Sequence, residues 1–210
     1  MLLYHGSRHS IDGPIVPISR DRCDFGRGFY LGTEPMQPLT LICDFPDARL
    51  YTLELDLDGL DVRELSADAT WALVVAYYRG KMEQARGTDL YTATAAVLEG
   101  ADVAIGPIAN DRMFVMLDRF FNGDITDVAL IKSLSALQLG NQVVALTQAA
   151  CDAIRIVDER DLSEAGRAEL IATSEANRAE GVALAERICR DYRREGRFFD
   201  EILEAGVPLG

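Results

Sequence analysis

Residues 24–34, DFGRGFYLGTE, narrow the choice of fold more than any other stretch. Gly26, Gly28 and Gly32 bracket Phe29, Tyr30 and Leu31. A bulky strand normally avoids glycine, which costs backbone entropy and gives neighbours nothing to pack on. Two readings follow. The glycines serve a tight turn and Tyr30 fills core, or something must approach the backbone closely while lying against an aromatic ring.

The rest of the chain reads as short strands mixed with helices. LLYHGS at 2–7 is a strand ending at a glycine, and the Pro-, Gly- and Ser-rich 9–23 is a loop. Residues 34–46 read as a proline-interrupted helix or turn. Residues 48–60 alternate cleanly, with Leu50, Thr52, Glu54 and Asp56 on one side and Tyr51, Leu53, Leu55 and Leu57 on the other, so they form a half-buried strand. Residues 68–86 carry Trp71, Val74, Val75, Tyr78 and Met82 at helical spacing. ADVAIGP at 101–107 is a short buried strand. DRMFVMLDRFFNGD is an amphipathic helix with Met113, Met116, Leu117 and Phe120 as its stripe and Asn122-Gly123 as its stop. DVALIKSLS is a helix, NQVVALT at 141–147 a strand, and QAACDAIRIVD a helix followed by a strand.

From about residue 158 the chain turns Ala-, Glu- and Arg-rich. Leu184, Ile188 and Tyr192 form a narrow helical stripe, and Phe198, Phe199, Ile202 and Leu203 an apolar cluster. This divides the chain into a domain over 1–157 and a helical C-terminal extension over 158–210, which packs on the domain or pairs with a partner, for example an inhibitor protein.

Bulk properties exclude several classes of function. The 210 residues suit one domain with an appendage, and 49% are apolar, enough for an ordinary core. The formal net charge is -13. Acids outnumber bases 21 to 13 before residue 158 and 13 to 8 from residue 158 on. With no dense basic run, nonspecific binding to a phosphate backbone is not expected, although a local basic pocket stays open. Cys23, Cys43, Cys151 and Cys189 are far apart with no CxxC pair. That argues against a metal site and a disulfide framework and favours a reducing, cytoplasmic setting. The opening MLLYHGSRHS lacks a signal-peptide apolar run, and WALVVAYY at 71–78 is too short to span a bilayer. No GxGxxG, Walker or GxSxG motif is present. His5 and His9 lie on a strand and a loop, not on the helix that an HxxxH metal site needs.

Three pieces gain meaning together: YHGS, GRGFYLGTE and LGNQVVAL. In this order they resemble the ADP-ribosyltransferase superfamily. That superfamily carries a histidine-glycine on its first strand, a tyrosine on a following strand and, commonly, a glutamate at the start of a late strand. Here these are His5-Gly6, Tyr30 and Gln142. The chain is most similar to an uncharacterised bacterial family of unknown function within it, through LYHGS, DFGRGFYL, IGPIANDR and NQVV. The similarity spans roughly residues 2–157.

The resemblance implies an α+β fold, a split sandwich of two small antiparallel sheets with surrounding helices. It implies NAD as substrate and transfer of single ADP-ribose units to a protein acceptor, in a toxin-like or regulatory role. Tyr30 would offer its ring to the nicotinamide. Gly28 and Gly32 would keep bulk away, Gly6 would meet the carboxamide with bare backbone groups, and His5 would hold a ribose hydroxyl. Cleavage builds positive charge on the ribose, and Gln142 brings no charge to offset it. Asp111 and Glu34 are the candidate helping carboxylates, and Arg27 and Arg112 the candidate pyrophosphate ligands. Asn110 or Asp111 also suits a helix cap. The alternative is a catalytically silent fold of this type, binding a nucleotide or a protein.

Overall fold

The alternation at 48–60 becomes the strand that organises the sheet. In the computed structural model, which describes residues 1–109, 114–136 and 140–205, this is β3 (Arg49–Leu55). Tyr51, Leu53 and Leu55 are buried on one face while Glu54 stays in water. β1 (Leu2–Ser7) pairs antiparallel with β3 from Leu2↔Glu54 to Ser7↔Arg49. β2 (Phe29–Gly32) follows the glycine loop, and β4 (Val62–Glu64) and β5 (Val103–Pro107) pair parallel. β6 (Asn141–Ala145) lies antiparallel between β5 and β2, and β7 (Ile154–Asp161) borders β3. The seven strands run in the order β4-β5-β6-β2-β1-β3-β7.

The described residues hold eight α-helices: α1 (Met36–Ile42), α2 (Ala69–Tyr78), α3 (Asp89–Ala96), α4 (Phe114–Phe121), α5 (Asp127–Leu134), α6 (Gln148–Asp152), α7 (Glu164–Asp191) and α8 (Phe199–Ala205). α2 is apolar all round, and Trp71 through Ala76 are all buried, the pattern of a helix set inside a core. Asp68 accepts a hydrogen bond from the Trp71 N–H and caps its start. Among the described residues no helix is long and apolar enough to cross a membrane.

Strand alternation sorts the side chains into two cores. One face gathers Leu3, Phe29, Leu31, Tyr51, Leu53, Val103, Val143 and Ala145, with Cys151 of α6 against them. The other places Ala104 and Val144 under α2, α4 and α5. Ala185, Cys189, Phe199 and Ile202 join this second core, so α7 and α8 spend apolar surface on the domain itself.

The fold is mixed α+β, as expected, but the strands form one sheet rather than two small ones. The reason is local. β2 pairs with β6 along its whole length, from Phe29↔Ala145 to Gly32↔Gln142. On its other edge β2 meets β1 in register only at Tyr4↔Gly32. Two half-sheets, β4-β5-β6-β2 and β1-β3-β7, are therefore joined through one registered pair. β7 also runs past the expected boundary at residue 157 to Asp161, held by Arg49 to Glu159 and Asp161 and by Arg155 to Glu54 across the strands.

The glycines of the opening motif are used for close approach within the chain. A Cβ at Gly28 would lie 2.5 Å from Val144 Cγ1 and 2.8 Å from the Ala145 carbonyl oxygen. Gly28→Ala should cost about 1–3 kcal/mol, because a strand backbone cannot yield as a side-chain tip can. The urea midpoint should fall with an unchanged slope. A wild-type midpoint would show the contact to be soft.

Candidate functional site

Hydrogen-bond phase decides where β1 and β2 present their backbone groups. The Met1 amine donates to the Leu55 carbonyl at 2.8 Å, and the Leu55 N–H donates to the Met1 carbonyl at 2.9 Å. In an antiparallel ladder such doubly bonded pairs alternate. Leu3, His5 and Ser7 therefore turn their backbone groups to β3, while Tyr4 and Gly6 turn theirs to β2. On the far side the Thr33 N–H donates to the Asn141 carbonyl at 2.9 Å. The same alternation turns the backbone groups of Tyr30 and Gly32 toward β1. Tyr4 and Gly32 meet. Gly6 and Tyr30 would be the next such pair, but the register stops short of them.

His5 explains what happens at that stop. Its Nδ1 lies 2.7 Å from the Tyr30 carbonyl oxygen. A carbonyl only accepts, so Nδ1 carries the proton and Nε2 holds a lone pair. The imidazole thus takes the acceptor that the Gly6 N–H would have used. Its ring stacks on Phe29, with centroids 4.3 Å apart at 28°. Burial pushes the His5 pKa below its ordinary value, with the bond to Tyr30 acting weakly the other way. A neutral ring fits both facts. Among the described residues Nε2 has no hydrogen-bond partner, and it is not a buried orphan.

Tyr30 and Gln142 project from the opposite face. Tyr4 is opposite Gly32, and Gly32 is opposite Gln142, so even-numbered residues of β1, β2 and β6 share a side. His5 is odd-numbered and lies with Leu3 and Phe29. The expected wall of imidazole, phenol and carboxamide is therefore not one wall, because the two strands differ by one residue in phase. The Tyr30 hydroxyl donates to the Gly26 carbonyl at 2.7 Å and accepts from the Phe25 N–H at 3.0 Å. Burial drives its pKa far up, so it stays protonated. Its ring packs against the core under α2.

Gln142 sits in a buried polar cluster. Its Nε2 donates to Asp24 Oδ2 at 2.8 Å and to the Pro107 carbonyl at 3.0 Å. The Trp71 indole N–H donates to that same carbonyl at 3.1 Å. Asp24 Oδ1 takes Arg79 Nε at 2.8 Å and Nη2 at 2.5 Å, and the Ala109 N–H reaches Oδ2 at 3.4 Å. Asp24 is 4% exposed and Gln142 6%.

The remaining candidates are dispersed. Arg27 lies on the surface, its fork on Asp21 at 2.8 Å. Glu34 is exposed, with its Cγ 2.9 Å from where a Cβ on Gly140 would stand, so it borders the Gln142 end of β6. Asp111 and Arg112 lie outside the described residues. Gly6 and Gly32 are abutted by α1: a Cβ on Gly6 would meet the Pro38 carbonyl oxygen at 2.8 Å, and one on Gly32 the Gln37 Oε1 at 2.9 Å. The sequence reading missed Asp24 and Arg79. Asp24 follows Asp21 and Arg22 in a charged loop, and Arg79 ends an apolar helix, so neither stood out.

No metal-ligating group of three or more His, Cys, Asp or Glu residues occurs among the described residues. No curated protein and no solved structure matches the chain. A family model does match, over residues 1–156, which takes in every strand but the last part of β7 and every candidate site residue. The chain belongs to that family, described as a protein of unknown function (DUF3990).

Proposed function

We propose that this protein is an NAD-dependent ADP-ribosyltransferase that moves single ADP-ribose units to a protein acceptor, with the nicotinamide amide received where β1 and β2 part. The observation that carries this reading is the Gly6 backbone edge. Its N–H faces β2, the Tyr30 carbonyl opposite it receives His5 Nδ1, and the registered pairing of β1 with β2 stops at Tyr4↔Gly32. A carboxamide supplies the complementary acceptor. The near-separation of the sheet into two halves supports a split-sandwich arrangement around that opening.

In the reaction the bond from the nicotinamide nitrogen to ribose C1′ breaks, and its electron pair leaves with nicotinamide. The acceptor nucleophile bonds to C1′ and gives up a proton. His5 Nδ1–H holds the Tyr30 carbonyl and so keeps the Gly6 N–H open to the nicotinamide amide. Gln142 Oε1, across the sheet from His5, accepts from a ribose hydroxyl and holds the sugar as positive charge grows.

Incubation with adenylate-labelled NAD and lysate should release nicotinamide and label protein. Absence of both overturns the transferase reading. A second reading, a silent fold that binds NAD, is favoured by the uncharged Gln142, whose nitrogen is committed to Asp24. Calorimetric binding without nicotinamide release is its signature.

A further inference from the structure

We propose that Asp24 is a positioning residue of this site: it fixes the Gln142 carboxamide with its oxygen turned away from the cluster, and it makes position 142 a carboxamide position rather than a carboxylate one. This rests on the NAD reading above. Gln142 Nε2 faces two groups that can only accept, an ion-paired carboxylate and a backbone carbonyl. Both of its hydrogens are therefore used, and the amide cannot be flipped without setting oxygen against oxygen. Oε1 has no partner among the described residues and is not a buried orphan, so it retains access to solvent or ligand.

A glutamate at 142 would put an oxygen 2.8 Å from Asp24 Oδ2 and 3.0 Å from the Pro107 oxygen, in a place almost closed to water. Burying two like charges so close forces one to take a proton or the two to move apart. Among the described residues the carboxylate of the cluster is thus on the loop, at position 24, ion-paired with Arg79. Its negative charge also acts through the Nε2–H bond, polarising the carboxamide and strengthening Oε1 as an acceptor. Asp24 works on the ligand only through Gln142.

The test is a cycle of Asp24→Asn, Gln142→Glu and the double variant, which exchanges carboxylate and carboxamide. Each single variant should melt about 5–10 °C below wild type, and the double should regain at least half of that loss. Nicotinamide release by Asp24→Asn should fall at least tenfold in kcat, with KM for NAD changed less than threefold. Additive losses in the double variant, or an unchanged kcat in Asp24→Asn, overturn the proposal. If Asp24→Asn does not fold alone, folding of the double variant supports the coupling and its failure to fold refutes it. A wild-type protein that releases no nicotinamide sinks the NAD reading, while the melting cycle still decides whether Asp24 and Gln142 are a matched pair.

Discussion

Arg79→Met should destabilise the protein by about 3–5 kcal/mol, a large share of the stability of an ordinary domain. The variant keeps the bulk and the apolar stem of the side chain and removes only the guanidinium. Asp24 then remains as a charge at 4% exposure, having lost both of its bonds from Arg79. Breaking a buried pair by removing one partner costs more than the net worth of the pair. Urea denaturation measures it directly. A change below about 1 kcal/mol would place the pair in the weak, solvated class of surface ion pairs, against the geometry described.

The second large effect is on chemistry. His5→Ala should lower nicotinamide release a hundredfold or more, about 3 kcal/mol. It frees the Tyr30 carbonyl for the Gly6 N–H, so β1 and β2 pair where the amide would enter. Equal losses in His5→Ala and His5→Asn would contradict this, because an asparagine amide can stand in for Nδ1–H on the Tyr30 carbonyl and keep the strands apart. Most of the activity should therefore survive in His5→Asn.

The same substitution has a signature in pH. The folded-state pKa of His5 lies below the ordinary 6.5. Between those two values the unfolded chain binds the proton and the folded chain does not. Stability therefore falls as pH drops below about 6.5 and levels off once the folded pKa is passed. His5→Asn should lack that slope. An identical slope in the variant would assign it to another group.

Much of the fold was legible because the relevant signals are local. β3 declared itself by alternation, and α2 by its apolar run. β4 did not, since three residues with two of them exposed carry no period. The site was legible in part. HGS, GFYLG and NQVV do fall on adjacent strands, but which side chains share a face depends on the register Tyr4↔Gly32↔Gln142, and register is a long-range property. That is why His5 was expected beside Tyr30 and Gln142 and stands across the sheet from both. Asp24 and Arg79 were hidden for the same reason. They meet across 55 residues, and a charge in the sequence does not name its partner.

In the proposed reaction the Gly6 backbone receives an amide. The most direct measurement is an NMR titration of nitrogen-labelled protein with nicotinamide, read at the Gly6 N–H. The account predicts that this resonance moves downfield and saturates, with the largest shift in the protein. A Gly6 resonance that stays in place while others move, or a spectrum unchanged at high millimolar nicotinamide, would contradict it.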